Sequence, residues 1–437
     1  MTINLVDWSA ANESERRTVL TRPAAAGNCE IVTRVSEIIS DVREQGDRAL
    51  ARFTQAFDGV RPDNFIVSNG EFEAAENSLD GQHMEAIDLA IRNVRCFHEA
   101  QLPDPLAVET SPGVLCERVS HPIDAVGLYV PAGTAPLPSA AIMLAVPAVI
   151  ACCPTIVLCT PPMNDGRANP AVLVAARRSG VKRVFKLGGA QAVAAMAFGT
   201  DTVPKVAKIF GPGNAWVTEA KSQVSGCADG AAIDMPAGPS EVLIIADRMA
   251  DPEFVAADLL SQAEHGTDSQ VLLVTDSPDM ADAVLLQIDV QLATLPRREI
   301  ASRSIDHSAA ILVDSIGAAI EISNLYAPEH LILQVENPRQ HLSKIRNAGS
   351  VFLGKWSPEA AGDYCSGTNH VLPTYGHARS HSGLSVDQFL RSMTIQELSS
   401  DGLASIGDAI IALARLEGLD AHARAVTCRM QGRGKMQ

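Results

Sequence analysis

The sequence lacks the signatures of several common protein classes. Its 437 residues contain no Gly-x-Gly-x-x-Gly fingerprint, no phosphate-binding P-loop and no His-Glu-x-x-His pair. A standard nucleotide-binding loop and a helical zinc-protease motif are therefore both missing. The nine cysteines include no Cys-x-x-Cys pair, a pattern that fits neither a zinc ribbon nor a secreted disulfide framework.

Positive charge and long apolar runs are also scarce. The 35 Lys and Arg residues stand against 51 Asp and Glu, a net charge of −16, which argues against nucleic-acid or anionic-membrane partners and suits neutral or cationic substrates. The longest apolar run, Ala140–Cys153, is too short to span a bilayer and contains Pro147, so we interpret it as a buried helix with a kink or an end. The N-terminus, Met1–Trp8, lacks the basic segment of a signal peptide. These features predict a reduced, cytoplasmic protein.

Short β-branched runs alternate with longer segments of helical periodicity through the middle of the chain. Continuous apolar strands alternating with helices predict an α/β fold whose parallel sheets are covered on both faces. About the first 120 and the last 55 residues lack this alternation and are predicted to be mainly helical, including one helix over Ile406–Val426. The predicted strands are Ala125–Val130, Thr155–Cys159, Arg183–Leu187, Lys208–Phe210, Glu241–Ala246, Gln270–Thr275, Ala309–Val313, His330–Gln334 and Ser350–Leu353.

Three glycine-containing junctions each follow a predicted strand and precede a predicted helix. They are Tyr129–Thr134, Leu187–Gln191 and Phe210–Asn214. Free N–H groups at a helix start favour phosphate, and ligands of open parallel sheets bind beyond the carboxyl ends of the strands. The junctions therefore favour a dinucleotide site, although glycine and proline that merely end the strands would leave the same pattern.

Potential metal ligands and proton-transfer groups are concentrated in the second half, where eight of the eleven histidines lie from His265 onward. Gln262 and His265 are three residues apart, so they share a helix face. Glu329 and His330 place an acid beside a base at the start of a strand. Imidazole with carboxylate or amide oxygen, and no thiolate, suits zinc or manganese. We interpret His83, His98, His121, His307 and His341 as structural or surface residues, and His377 and His381 as residues of an exposed loop.

Seven segments together resemble the histidinol dehydrogenase family, and the resemblance runs from Asp7 to about Val426. It implies a zinc-dependent homodimer with shared active sites, which oxidises L-histidinol through L-histidinal to L-histidine with two NAD. The segments are Val126–Pro131, Leu187–Gln191, Gly211–Asn214, Asp234–Glu241, Asp258–Gly266, Pro328–His330 and Gly367–Pro373.

The resemblance also implies a domain arrangement. An N-terminal helical arm (1–27) precedes two related Rossmann-like α/β domains with parallel-rich sheets. The main domain (28–129 and 241–380) carries the metal and catalytic residues, and the second (130–240) binds NAD. A C-terminal helical arm (381–437) crosses the dimer.

The same resemblance implies roles for individual residues. The zinc ligands are Gln262, His265, Asp363 and His422, the last from the partner subunit, and the catalytic acid–base pair is Glu329 and His330. Ser240, His370 and Glu417 line the substrate pocket together with Gln262, His265, His330, Asp363 and His422, and Tyr129, Gln191 and Asn214 contact NAD.

Two positions fit the family pattern less well. Ala132 stands where many relatives have glycine, so the backbone has less freedom to approach the cofactor there. Glu417 and His422 are five residues apart, about 140° around an ideal helix. They reach one pocket if the helix breaks near Gly418 or if the pocket wraps around it.

Several alternatives to this interpretation remain. A thiohemiacetal route through Cys116, Cys153 or Cys365 is less favoured, because basic neighbours that would activate a thiol are few. The same fold and metal could serve another small polar alcohol, such as a sulfonated diol, which would call for Arg or Lys in place of Glu417. A zinc hydrolase that uses Glu329 to activate water and a metal-binding protein without turnover are the alternatives from other classes.

Overall fold

The computed structural model describes residues 3–23, 29–61, 64–132, 135–235 and 238–433. By their contacts the residues form two units, Met1–Gln101 with Asp124–Gln388, and Leu102–Ile123 with Phe389–Gln437. The strands are β1 (Asn4–Asp7), β2 (Leu106–Ser111), β3 (Val114–Pro122), β4 (Ala125–Tyr129), β5 (Thr155–Thr160), β6 (Arg183–Lys186), β7 (Lys208–Phe210), β8 (Ala232–Ile233), β9 (Glu241–Ala246), β10 (Gln270–Thr275), β11 (Ala309–Leu312), β12 (His330–Gln334), β13 (Ser350–Leu353) and β14 (Leu390–Leu398).

Sixteen helices accompany these strands in the part of the chain just defined. Within that part, no helix is long and apolar enough to cross a membrane. The helices are α1 (Glu13–Leu20), α2 (Cys29–Gln45), α3 (Asp47–Phe57), α4 (Asn69–Ser78), α5 (Gly81–Glu99), α6 (Pro138–Ile150), α7 (Pro170–Arg178), α8 (Gly189–Phe198), α9 (Ala215–Ser225), α10 (Pro252–Ala263), α11 (Pro278–Leu292), α12 (Arg298–Ile305), α13 (Ile316–Tyr326), α14 (Glu359–Tyr364), α15 (Ser400–Leu416) and α16 (Asp420–Arg433).

The first unit contains a six-stranded parallel sheet in the order β1-β11-β10-β9-β12-β13. Successive residues of β9 pack on opposite sides of it. Val242 and Ile244 join a core with α10, α11 and α12, while Leu243 and Ile245 join a core with α13. A central strand covered on both faces has no solvent side. This is why every residue of β9 and β10 is buried.

The same unit contains a five-stranded parallel sheet in the order β6-β5-β4-β7-β8. One of its faces packs against α2, α3, α8 and α9 through a single apolar core. The predicted buried helix is α6, in which Pro147 lies three residues before the end, as expected for a proline that removes a helical hydrogen bond. The α/β fold and its parallel-rich sheets agree with the sequence prediction.

The second unit is a three-stranded antiparallel sheet in the order β14-β3-β2, together with α15 and α16. The sequence prediction missed these three strands. Most residues of β2 and β14 are solvent-exposed, so they carry no continuous apolar run of the kind that identifies a buried parallel strand. The predicted helical segment Ile406–Val426 is helical but interrupted, because Gly418 has a φ of +71° and separates α15 from α16. Of the two arrangements considered for Glu417 and His422, the helix break near Gly418 is present.

Two boundaries differ from the predicted domain arrangement. The segment 1–27, expected to be a helical arm, also contains β1, which pairs in parallel with β11 and extends the six-stranded sheet. Residues assigned to the main domain also belong with the five-stranded sheet, since β4 is its central strand and α2 packs on its helices. Chain order misled here, because pairing partners in a parallel sheet are far apart in sequence.

Candidate active site

Several of the polar residues singled out from the sequence lie together at the amino ends of adjacent strands of the six-stranded sheet. His330 begins β12 and pairs with Val242 of β9, and Glu241 begins β9. Asp363 on α14 connects the group, since its Oδ1 lies 3.7 Å from Nε2 of His330 and its Oδ2 lies 3.9 Å from Nε2 of His265. The end of α10, the start of β12 and the short helix α14 thus form one polar cluster.

Glu329 and His330 are both held by the backbone of Glu241. The Glu241 N–H donates to Oε2 of Glu329 at 2.9 Å, and Nδ1 of His330 lies 3.3 Å from the Glu241 carbonyl oxygen. A proton on Nδ1 satisfies that carbonyl and leaves Nε2 as the free lone pair directed toward Asp363. Adjacent strand residues point to opposite faces. Glu329 precedes β12, however, so the acid and the base lie side by side, with Oε2 3.6 Å from Nδ1.

Burial shifts the pKa values of this pair in opposite directions. Burial raises the pKa of Glu329 well above its usual range, and the negative charges of Glu241 and Asp363 raise it further. The hydrogen bond from the Glu241 backbone lowers it but does not outweigh these effects. Burial lowers the pKa of His330 to about 4, although the charge of Asp363 opposes the shift. At neutral pH the imidazole is therefore unprotonated and able to accept a proton.

Gln262 is fully buried near the end of α10 and is oriented by Glu359 of α14. Its amide nitrogen donates to Oε1 of Glu359 at 2.5 Å and to Oε2 at 3.0 Å. The same nitrogen lies 3.2 Å from Nδ1 of His330. Because Nδ1 directs its proton to the Glu241 carbonyl, we assign the amide hydrogens to Glu359 alone. The amide oxygen of Gln262 lies on the other side of the amide group from these contacts.

His265, Glu359 and Asp363 form a possible metal site, since one ligand atom from each lies within 4.8 Å of the others. His265 follows the end of α10, where its N–H bonds to the Gln262 carbonyl. Its side chain is 41% exposed and that of Asp363 is 14% exposed, so one side of the cluster faces solvent. Nitrogen and carboxylate donors without a thiolate fit zinc or another divalent ion in an open position.

Glu359 did not emerge from the sequence. A signal was available, because Glu359 and Asp363 are four residues apart and therefore lie on one face of a helix. The helix itself was not predicted, since α14 has six residues and carries no apolar stripe long enough to recognise.

His370 adds a third imidazole, next to those of His265 and His330. Burial lowers its pKa, Asp363 raises it, and the nearby charge of His265 lowers it further. Its Nε2 is buried and has no hydrogen-bond partner among the residues described above, which leaves it available to a ligand. Ser240 directly precedes β9, and its carbonyl accepts a hydrogen bond from the Gln270 N–H.

The three residues expected to contact NAD lie beside the carboxyl ends of the five-stranded sheet. Tyr129 ends β4, and its buried hydroxyl accepts a hydrogen bond from the Gly189 N–H at the start of α8; burial raises the pKa of that hydroxyl to about 12. Asn214 caps α9 by accepting from the N–H groups of Trp216 and Val217. Gln191 is buried within α8, and its Oε1 is unpartnered within the described ranges.

The loop after β7 approaches the end of β4 closely. Gly211 has a φ of +118°, and a Cβ there would lie 2.2 Å from the Tyr129 carbonyl oxygen. Glycine is therefore required at this position. Gly133 and Thr134 of the first junction, and Pro236 and Ala237 of the segment Asp234–Glu241, lie outside the described residues.

Glu417 and His422 belong to the second unit. Glu417 caps the end of α15 and His422 lies in the first turn of α16, and both are exposed. The break at Gly418 places them on different helices.

The structure places several of the other histidines and cysteines, whose roles stay predictions. His98 is buried, and its Nδ1 donates to the Val94 carbonyl at 2.8 Å. His377 and His381 lie in and after a short 3₁₀ turn, with their rings in edge contact. Cys153 lies past the end of α6 and is buried. Within the described ranges, no cysteine joins the metal-ligating group.

A comparison with known proteins decides the family. The sequence profile for histidinol dehydrogenase matches residues 21–430. The chain belongs to the histidinol dehydrogenase family. A histidinol dehydrogenase of Xanthomonas euvesicatoria pv. vesicatoria (strain 85-10) is 54% identical over 428 residues, which is 98% of this chain and 99% of that protein. A histidinol dehydrogenase of Vibrio parahaemolyticus serotype O3:K6 (strain RIMD 2210633) is 53% identical, with 98% of each chain covered.

A solved structure leads to the same family. The crystal structure of histidinol dehydrogenase from Elizabethkingia anophelis superposes with a TM-score of 0.95 at 45% identity and covers 99% of both chains. The resemblance found in the sequence segments is thus confirmed, and so is the α/β fold class. As a histidinol dehydrogenase family member, the chain is an NAD-dependent oxidoreductase.

Proposed function

We propose that this chain oxidises L-histidinol through L-histidinal to L-histidine, reducing two NAD in the last steps of histidine biosynthesis. The observation that supports this most is the cluster of Glu329, His330, His265 and Asp363, in which an acid, a base and potential metal ligands lie within one polar site. The substrate is inferred from membership of the family, and the site contains groups suited to each chemical step.

Zinc is the metal we propose for this site, held by Gln262, His265, Asp363 and His422 of the partner subunit. The donor set supports the assignment, since His265 and Asp363 already face each other and the Gln262 amide is turned so that its nitrogen contacts Glu359. When bound, the ion would hold the substrate's amine and imidazole nitrogens and so orient the carbinol carbon. Glu359 supports the site indirectly by fixing the amide of Gln262.

The first oxidation uses His330 as the base. The hydroxyl proton passes to Nε2 as a hydride leaves the carbinol carbon for the nicotinamide, which yields the aldehyde and NADH. The pKa of His330, lowered by burial, keeps the imidazole free of a proton before this step. The hydrogen bond from Nδ1 to the Glu241 carbonyl orients the ring for the transfer.

The second oxidation uses Glu329. Its carboxylate accepts a proton from water, the resulting hydroxide adds to the aldehyde, and the hydrate transfers a second hydride to a second NAD. The sum is one alcohol, one water and two NAD giving one carboxylate, two NADH and three protons. The pKa of Glu329, raised by burial, makes its ionised carboxylate a stronger base than an exposed glutamate.

Substrate specificity would come from groups around this centre. We propose that Ser240 and His370 line the pocket with the metal and catalytic residues, and that Glu417 of the partner subunit pairs with the substrate ammonium. The unpartnered Nε2 of His370 supports its assignment. These assignments require a homodimer with shared sites.

The dinucleotide would bind at the carboxyl ends of the five-stranded sheet, within residues 130–240, near Tyr129, Gln191 and Asn214. The close approach of Gly211 to Tyr129 supports this placement, because it leaves the loop free of side-chain bulk. We also propose a cytoplasmic location, for which the cysteine pattern of a reduced protein is the support.

The test is the stoichiometry of NADH formation. The purified protein, stripped with a chelator and reloaded with zinc, is given limiting L-histidinol and excess NAD. Two NADH per histidinol, activity lost on stripping and restored by zinc, and loss of turnover in His330→Asn would support the proposal. No NADH, one NADH with histidinal released, or turnover of a sulfonated diol in place of histidinol would contradict it. Hydrolysis without NAD would favour a zinc hydrolase instead.

A further inference from the structure

The turn that presents Glu329 and His330 has an unfavourable backbone conformation. Ala327 ends α13 with a φ of +54° and a ψ of 67°, a left-handed conformation that non-glycine residues rarely adopt. Pro328, Glu329 and His330 follow at once. A strained residue of this kind persists where its surroundings hold it in place.

Arg22 supplies much of that support from the N-terminal segment. Its Nη2 donates to the carbonyl of Tyr326 at 2.8 Å and lies 3.4 Å from that of Ala327, which brackets the strained residue. The guanidinium also lies 3.9 Å from the centre of the Tyr326 ring. The planar guanidinium of an arginine can bind two carbonyls, a ring face and a carboxylate at the same time, whereas the ammonium of a lysine cannot.

The carboxylate is that of Glu241, and the pair is removed from solvent. Nε of Arg22 lies 2.5 Å from Oε2 and Nη2 lies 2.9 Å from Oε1, with 12% and 2% of the two side chains exposed. Oε1 of Glu241 also accepts the N–H of Glu329 at 3.3 Å. The Glu241 backbone in turn holds the carboxylate of Glu329 and the ring of His330.

We propose that Arg22 is a positioning residue, which sets the catalytic geometry of Glu329 and His330 by locking Glu241 and the turn at Ala327. The proposal rests on the proposed function, since it assigns those two residues to proton transfer. It extends that function to a residue of the N-terminal segment that touches neither substrate nor metal. Removing one partner of a buried ion pair also destabilises the fold, so the test must read out catalytic geometry separately from stability.

The test compares Arg22→Met, Arg22→Lys and a matched control in the zinc-loaded enzyme. Misplacing reacting groups by about 1 Å lowers rates by about 100-fold, so we expect kcat of Arg22→Met to fall by about 10- to 100-fold. KM for histidinol and zinc content should stay within about twofold of wild type, because Arg22 is not among the proposed metal or substrate residues. Arg22→Lys keeps the charge without the fork and should recover part of kcat. Should Arg22→Met fail to fold, Arg22→Lys carries the test through its own fall in kcat.

The control is Arg43→Met. Arg43 also pairs with a carboxylate, Asp229, at 2.8 Å, and also covers a ring, that of Phe198, at 4.4 Å. It lies on α2, away from the polar cluster. Its loss should leave kcat unchanged. Equal kcat values for Arg22→Met and wild type, or a rise in KM alone, would overturn the proposal.

A second measurement separates this proposal from the proposed function. Hydrogen exchange by mass spectrometry reports on peptides covering Tyr326–His330 and Glu241 without any substrate. Faster exchange there in Arg22→Met, with other peptides unchanged, is expected even if the wild-type protein does not oxidise histidinol. Unchanged exchange would overturn the positioning role, whatever the enzyme's substrate proves to be.

Discussion

Glu359→Gln separates the part that Glu359 plays in metal binding from its effect on folding. Glu359 is 1% exposed, and both of its oxygens accept from the Gln262 amide. The substitution keeps the shape of the side chain but turns one acceptor into a donor. The Gln262 amide then loses one of its two partners and is no longer fixed in one orientation.

The two expected effects have opposite signs. Loss of a group that orients a metal ligand weakens metal binding by about 10- to 100-fold, or about 1.4 to 2.7 kcal/mol. In the metal-free protein, burial together with the charges of Asp363 and Glu329 raises the pKa of Glu359 well above its usual range. A carboxyl whose pKa is raised on folding lowers the stability of the metal-free fold at neutral pH, and a neutral amide removes that effect. Metal-free Glu359→Gln should be as stable as wild type or more stable.

Zinc affinity is measured by competition with a chelator of known affinity, and the stability of the stripped protein by thermal unfolding. Glu253→Gln is the control, because Glu253 is an exposed glutamate in the first turn of α10, at the end of that helix away from Gln262. Unchanged zinc affinity would refute the orienting role of Glu359. A fall in metal-free stability as large as the loss of affinity would show that the residue acts on the fold alone.

Three further outcomes follow from the structure. Burial raises the pKa of Asp258 to about 6 from 3.8, so the native state holds a proton that the unfolded state releases. This difference lowers the free energy of unfolding by roughly 3 kcal/mol as the pH rises from about 4 to 6. In urea unfolding of the metal-free protein, Asp258→Asn should make that free energy less dependent on pH over this range. Mixed dimers of His265→Ala and His422→Ala subunits should regain activity if sites are shared, and no recovery would place each site within one subunit. Lys221 pairs at 2.5 Å with Asp234, whose side chain is 1% exposed, so Lys221→Met leaves a buried carboxylate without its partner and should lower the free energy of unfolding by about 3 to 5 kcal/mol. Adding Asp234→Asn should restore most of that stability in denaturant unfolding. Equal stability of the single and double variants would contradict this.

The sequence predicted the buried parallel strands well because each carries its own signal. β9 and β10 are continuous apolar runs bounded by turn residues, and their structural limits match the predicted ones. The start of the helix α10 is likewise marked locally, by Asp251 as N-cap and Pro252 in the first turn. Local chemistry was sufficient for these elements.

Features that depend on distant partners were not predictable in this way. β14 is held by β3, and the register pairs Arg391 with His121 across most of the chain. The role of Arg22 likewise depends on contacts with Glu241 and Tyr326, more than 200 residues away. For the site itself, spacing alone could pair Gln262 with His265, whereas the approach of Asp363 to both imidazoles needed the fold.

If the dinucleotide binds where we propose, the capping of α8 and α9 has a kinetic consequence for it. The first amides of a helix are the strongest main-chain donors for a pyrophosphate, but here Tyr129 occupies the Gly189 N–H and Asn214 occupies those of Trp216 and Val217. A dinucleotide that does not form these hydrogen bonds dissociates faster, because the dissociation rate depends on the contacts that must be broken. An enzyme with the proposed two-step reaction must release NADH and bind a second NAD while the aldehyde intermediate stays bound. Fast release of NADH therefore serves it better than high affinity for the dinucleotide.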